Sequence, residues 1–203
     1  MTPVGLTGGI ATGKTTVCRL LEAKDCTIID ADVVAHNLLL RGQPGYDPVI
    51  QAFGRDILGD TGEIDRGKLG TVVFGDRSKL DQLNQLLHPE VLRTIGAELE
   101  VLRQVGGARV IVDASLMIES GYHRNFRRLV LVTCSLAQQV ERLMSRNGLT
   151  EEQARQRIAL QMPLEVKRTF ATDIIDNSGT HERTRMQVDA LFEDLERTAW
   201  TLP

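Results

Sequence analysis

The sequence predicts an α/β fold of three layers, a five-stranded parallel sheet with helices on both faces. Three observations predict it. Short apolar runs alternate with amphipathic helical stretches along the chain, the pattern left by successive strand–helix–strand crossovers. The first apolar run leads straight into Gly8-Gly9-Ile10-Ala11-Thr12-Gly13-Lys14-Thr15. That segment satisfies G-x-x-x-x-G-K-[ST] in full, between a strand and a helix, so the expected fold is that of a P-loop NTPase. Acidic residues follow the strand candidates, and the carboxyl ends of parallel strands are where such sheets bind ligands.

The elements are read in order. Val4-Gly5-Leu6 forms the first strand, with Pro3 at its start, where a strand tolerates proline. A helix runs from Lys14 to about Lys24. Thr27-Ile28-Ile29 forms the second strand and ends at Asp30. A helix over 32–40 follows and stops at Gly42-Gln43-Pro44-Gly45. Residues 46–76 read as short helices and turns, broken at Gly54, Gly59, Gly62, Gly67, Gly70 and Gly75. Residues 78–87 are helical. His88-Pro89 interrupts the pattern, because a residue before proline avoids the α region, and a separate helix opens at Pro89 and runs to Gln104. Val110-Ile111-Val112 is the third strand, ending at Asp113, and Leu129-Val130-Leu131-Val132 is the fourth. Ser135 caps a helix over 136–146. Thr150-Glu151-Glu152-Gln153 is a capping box that opens a helix to about Met162. Ile174-Ile175 is the fifth strand, and residues 180–198 form the last amphipathic helix.

Composition narrows the function. The 203 residues suit one domain with small lobes, large enough to need no disulfide or metal staple. With 24 Lys and Arg against 27 Asp and Glu, the formal net charge is -3, which argues against a general nucleic-acid coat. Cys18, Cys26 and Cys134 form no paired spacing and no Cys/His cluster, so a secreted disulfide scaffold and a structural zinc site are both disfavoured. No apolar run approaches the roughly 20 residues of a membrane span. The glycine loop begins at Gly8, where a leader peptide would lie, so a cytoplasmic protein without membrane partners is expected. A monomer is expected, and the sequence leaves a homo-oligomer open.

The chemistry starts at the glycine loop. Its glycines let backbone N–H groups of residues 8–16 turn inward onto phosphate oxygens, and the following helix adds unpaired N–H groups and a positive dipole end. Lys14 reaches the β- and γ-phosphates, the Thr15 hydroxyl ligates Mg²⁺, and Thr16 sits at the α-phosphate. A guanine-specificity motif is absent, since neither Asn125 nor Asn177 is followed by Lys-x-Asp. ATP is the expected co-substrate, although the loop alone does not separate ATP from GTP. The remaining class is a small-molecule kinase with a mobile lid. Residues 142–168 hold Arg142, Arg146, Arg155, Arg157, Lys167 and Arg168 against Glu151, Glu152 and Glu165, six cations against three carboxylates. Arg142 and Arg146 share a helix face and either clamp phosphoryl oxygens, stack on adenine, or form a solvated basic face.

On the acceptor side, Asp32 is placed to take a proton from a substrate hydroxyl, with Asp30 as the better helix cap. His36, four residues on, orients Asp32, touches substrate, or forms a surface pair with Asp32. Asp113 either holds a water on Mg²⁺ or is a strand-end turn residue. His88 either lines the acceptor pocket or satisfies a local backbone group.

Taken together these residues resemble the dephospho-coenzyme A kinase family. The resemblance is carried by Thr7 to Val17, Ile29-Asp30-Ala31-Asp32 with His36, His88-Pro89, Arg146-Asn147-Gly148-Leu149-Thr150, Gln161-Met162-Pro163 and Asp173-Ile174-Ile175-Asp176-Asn177-Ser178-Gly179, and it spans about residues 4–195. It implies transfer of the ATP γ-phosphoryl to the ribose 3′-hydroxyl of dephospho-coenzyme A, the last step of coenzyme A synthesis. It implies a single kinase domain similar to the nucleoside monophosphate kinases, with a helical acceptor-binding lobe over about 33–105 and a lid over about 140–170. Asp32 would be the catalytic base. Arg142 and Arg146 would act from the lid, and Asn177 would lie near the adenine. Two positions depart from the family pattern. Ala11 stands where a third loop glycine is common, which requires an ordinary backbone conformation there. Ser115 replaces the proline of a Pro-Leu-Leu run. A different small-molecule kinase and a non-catalytic nucleotide-binding regulator are the competing readings, and the retention of both Lys14 and Asp32 speaks against the regulator.

Overall fold

The computed structural model describes residues 2–74, 76–106 and 109–200. In chain order the elements are β1 (Val4–Gly8), α1 (Lys14–Glu22), β2 (Cys26–Asp30), α2 (Ala31–Asn37), α3 (Tyr46–Phe53), a 3₁₀ turn over Arg55–Ile57, α4 (Arg66–Phe74) and α5 (Arg77–Val105). They continue with β3 (Arg109–Asp113), a 3₁₀ turn over Tyr122–Asn125, β4 (Leu129–Thr133), α6 (Leu136–Asn147), α7 (Glu151–Ala159), α8 (Leu164–Arg168), β5 (Asp173–Asp176) and α9 (His181–Thr198). The break expected at Gly75 lies outside the described residues. The chain divides into two units, Met1–Asp30 with Leu102–Pro203, and Ala31–Val101.

In the first unit all five strands pair in parallel, in the order β2-β3-β1-β4-β5. Strands covered on both faces read as nearly continuous apolar runs, and β4, LVLVT, is buried at every position. One face carries the core formed by Val4, Leu6, Ile111, Val130, Val132 and Ile175 with Val17 and Leu21 of α1 and Val188, Leu191 and Leu195 of α9. Trp200 packs at its margin, tilted against Phe192 at 5.7 Å. On the opposite face Gly5 meets Met117 and Phe126, which leave no room for a side chain on β1 there. Every strand ends at the same edge. Register sets Asp30 beside Asp113, Asp113 beside Leu6, Gly8 beside Val132, and Thr133 beside Asp176.

The second unit is helical, with its own core of Val49, Ile57, Leu69, Val73 and Leu87. The described residues of 46–76 form short helices and turns, as their glycine spacing predicts. The region around His88 differs from expectation. His88-Pro89 does not interrupt a helix, because α5 runs unbroken from Arg77 to Val105 with Pro89 inside it. Proline in a helix removes one i→i−4 hydrogen bond. Here the carbonyl left over belongs to Gln85, an exposed residue that water can serve.

The helix caps follow the sequence. Ser135 and Thr150 each accept a hydrogen bond from the backbone N–H three residues on and complete full capping boxes with Gln138 and Gln153. The helix from Thr150 ends at Ala159 rather than about Met162, and α8 starts after Pro163. Proline pre-sets the backbone for a new first turn. Among the described residues no helix is long and apolar enough to cross a membrane.

Candidate active site

The glycine loop leaves the centre of the sheet and enters α1. Gly13 precedes the first helical residue with φ +94°, and no side chain caps α1. The Thr16 N–H donates to the Gly13 carbonyl at 2.9 Å, and the N–H groups of Lys14 and Thr15 at the very start of the helix lie beyond the reach of intrahelical acceptors and suit an anionic ligand. A Cβ on Gly13 would stand 2.0 Å from Asn177 Nδ2, and one on Gly8 would stand 2.7 Å from Thr12 Oγ1 and 2.8 Å from the Val132 carbonyl. Both glycines are thus required by space, and Gly13 also by conformation. Ala11 adopts φ +60°. This corrects the expected ordinary backbone: the loop's turn imposes a left-handed residue there, and alanine accepts it at some steric cost. Ile10 and Ala11 pack against the small core of Val140, Leu143 and Ala154 on α6 and α7.

Polar groups from three directions hold the loop. The fully buried Thr12 hydroxyl donates to the Gly9 carbonyl at 2.9 Å. Gln139 Nε2 donates to the Ile10 carbonyl at 2.7 Å, and the Ile10 N–H donates to Gln161 Oε1 at 2.7 Å. Asn177 donates through Nδ2 to the Thr12 carbonyl at 2.8 Å and accepts from the Thr184 hydroxyl at 2.8 Å. Arg142 donates to the carbonyls of Ala11 (3.3 Å), Thr12 (3.2 Å) and Asn177 (3.0 Å). Asn177 and Arg142 thus act on the loop backbone itself. Arg146, on the same helix, is exposed and donates to Asn147 Oδ1. Arg155 pairs with Glu151 at 2.7 Å.

Lys14 Nζ lies 2.5 Å from Asp113 Oδ1. Asp113 is nearly buried at the end of β3, and its other oxygen accepts from the Cys18 thiol at 3.5 Å. Burial, and next the Asp113 charge, push the Cys18 thiol well above its ordinary range. That thiol is therefore a neutral donor to Asp113, not a nucleophile. Thr15 is exposed at the start of α1 and Thr16 half-buried beside it. Among the described residues no group of three or more His, Cys, Asp or Glu could hold a metal. Thr15 and Asp113 suit Mg²⁺, which keeps waters and takes substrate phosphates rather than an all-protein cage.

In the helical unit, Asp32 is exposed in the first turn of α2, where the helix dipole favours a carboxylate. His36 lies in the last turn of the same helix. Its Nδ1 is buried without a hydrogen-bond partner among the described residues. His88 is half-buried within α5, and burial lowers its pKa below the usual histidine range.

The sequence reading missed the residues that fasten the loop from outside the motif: Gln139, Gln161, Thr184, and above all Lys167. It treated Lys167 as one of six lid cations, yet that residue is fully buried. Nothing in its local sequence marks it, since it stands in a cationic stretch next to Arg168.

A glycine loop with no room for side chains at Gly8 and Gly13, opening a helix at the carboxyl edge of a parallel sheet and carrying a lysine on a strand-end aspartate, defines a P-loop phosphotransferase. Residues 2–183 match the model of the dephospho-CoA kinase family. The chain belongs to that family. A dephospho-CoA kinase of Carboxydothermus hydrogenoformans is 42% identical over 198 residues, covering 98% of this chain and 96% of that protein. One of Arabidopsis thaliana is 43% identical over 196 residues, covering 96% and 84%. Of solved structures, TT1252 from Thermus thermophilus is similar with a TM-score of 0.79 at 31% identity, covering 96% of this chain and 97% of that one. Shikimate kinase from Acinetobacter baumannii shares the fold alone, with a TM-score of 0.51 at 17% identity, covering 98% and 96%.

Proposed function

We propose that the protein moves the γ-phosphoryl group of ATP onto the ribose 3′-hydroxyl of dephospho-coenzyme A, giving coenzyme A and ADP in the cytoplasm. The observation that carries this reading is the family match over residues 2–183, which falls on a loop built to take phosphate. Residues 8–16 hold the triphosphate, the N–H groups of Ile10, Thr12 and Thr16 serving the loop's own shape and others of the segment turning to the phosphates. Lys14 leaves Asp113 for the β- and γ-phosphate oxygens and neutralises charge as the bridging oxygen departs. Arg142 and Asn177 keep the carbonyls of Ala11 and Thr12 turned away from the ligand. Asn177 also lies near the adenine, and Arg146 acts from the lid, in this reading. Thr15 and Asp113 would hold Mg²⁺, whose contribution when bound is charge neutralisation on the phosphates.

Asp32 accepts the proton of the 3′-hydroxyl as its oxygen bonds to phosphorus and the bond to ADP breaks. Its exposed place in the first turn of α2, directly after β2 in the chain, supports that role. His36 and His88 belong to the acceptor site in the same reading. A coupled ADP-release assay tests it, with dephospho-coenzyme A, adenosine monophosphate and simple nucleosides as rival acceptors. Turnover with dephospho-coenzyme A at least about tenfold above the rivals is expected. Equal or greater turnover with a rival would overturn the assignment.

A further inference from the structure

One buried cation takes no part in the mechanism above. Lys167, in α8, is fully buried. A lysine so placed is rare unless its charge is matched. Its Nζ donates to the Ser115 carbonyl at 2.9 Å, pairs with Glu119 Oε1 at 2.9 Å, and reaches the Gly8 carbonyl at 3.4 Å. Glu119 Oε1 also accepts the Met162 N–H at 3.1 Å. Six residues before Lys167, Gln161 takes the Ile10 N–H. The stretch 161–167 therefore grips the first half of the glycine loop at two points. It also grips the loop after β3 at Ser115 and Glu119, just beyond the aspartate that receives Lys14.

The chemistry of a phosphate cradle gives this grip a purpose. A loop that presents N–H groups to an anion must turn its carbonyl oxygens outward, and an outward carbonyl at the end of a buried strand needs a donor. The ammonium supplies that donor at Gly8 and at Ser115 at once. The two loops that flank the reacting phosphate are thereby tied to one charge.

We infer that Lys167 is a positioning residue for phosphoryl transfer: by joining the Gly8 carbonyl, the Ser115 carbonyl and Glu119, it fixes the glycine loop relative to the loop that carries Asp113. The inference rests on the kinase reading above.

The test compares Lys167→Met, Glu119→Gln and the double variant with the wild type in the full chain. ADP affinity is measured by calorimetry, kcat by the coupled assay, and folding by circular dichroism melts. Lys167→Met should weaken ADP binding about tenfold or more and lower kcat further, with little change in KM for dephospho-coenzyme A. The double variant removes the uncompensated carboxylate, so its melting temperature should recover toward the wild type while its ADP affinity does not. Lys167→Met with wild-type ADP affinity would overturn the inference, as would a double variant that recovers both properties together. If Lys167→Met does not fold, the double variant, which leaves no uncompensated carboxylate, replaces it, and wild-type ADP affinity in that variant would again overturn the inference. A wild-type protein that binds no ADP would instead overturn the kinase reading on which the inference stands.

Discussion

Gly13→Ala is the substitution whose cost can be worked most directly from the geometry. The residue sits at φ +94°, where an L-side chain loses about 1–2 kcal/mol. Its new methyl would lie 2.0 Å from Asn177 Nδ2, so Asn177 must leave. Leaving breaks its bonds to the Thr12 carbonyl and the Thr184 hydroxyl, each worth about 1 kcal/mol. The total is about 3–4 kcal/mol, which for a chain of this size lowers the melting temperature by roughly 6–16 °C. The same geometry predicts non-additivity. In an Asn177→Ala background the clash is already gone, and Gly13→Ala should cost only the backbone part, about 1–2 kcal/mol. Thermal melts of the two single variants and the double variant measure both quantities. A Gly13→Ala protein melting within about 1 °C of wild type, or strict additivity across the cycle, would refute the reasoning.

Four further outcomes are expected. Lys14→Ala should weaken ATP binding and lower kcat about 100-fold or more, read by calorimetry and the coupled assay. Asp32→Ala should lower kcat by about 10²–10⁴ while leaving ATP affinity nearly unchanged, and full turnover would remove Asp32 from the role of base. Arg142→Ala should slow turnover and lose about 1–3 kcal/mol of stability, since three carbonyls lose a charged donor. His88, whose pKa burial lowers, favours the neutral ring in the folded state. Its stabilising contribution is complete above the ordinary histidine value of 6.5 and is lost as pH falls from there through the folded pKa, so His88→Leu should flatten the melting temperature between pH 6.5 and lower values.

The five strands, the helix starts at Ser135 and Thr150, and the glycine loop were legible because each depends on local pattern: apolar runs, capping side chains, a fixed motif. The misses share a different cause. Pro89 reads as a break because local sterics disfavour it, but the rest of a 29-residue helix outweighs one lost hydrogen bond. Ala11 reads as ordinary backbone, yet the loop's turn, packed against α6 and α7, places it at φ +60°. Lys167, Gln139 and Gln161 act on atoms 129 to 159 residues away in the chain, and no periodicity reports such partners. The motif names which residues meet phosphate, while the residues that hold the motif in shape are set by tertiary contact.

The strand that delivers the glycine loop is the middle one of the sheet, flanked by β3 and β4. Interior strands exchange their amide protons only in the largest opening events of a protein. Deuterium uptake at residues 4–8 should therefore be among the slowest in the chain even without ligand, and nucleotide can add protection chiefly beyond Gly8. Fluctuations of the two border strands, β2 and β5, can run their course while the root of the loop stays shut.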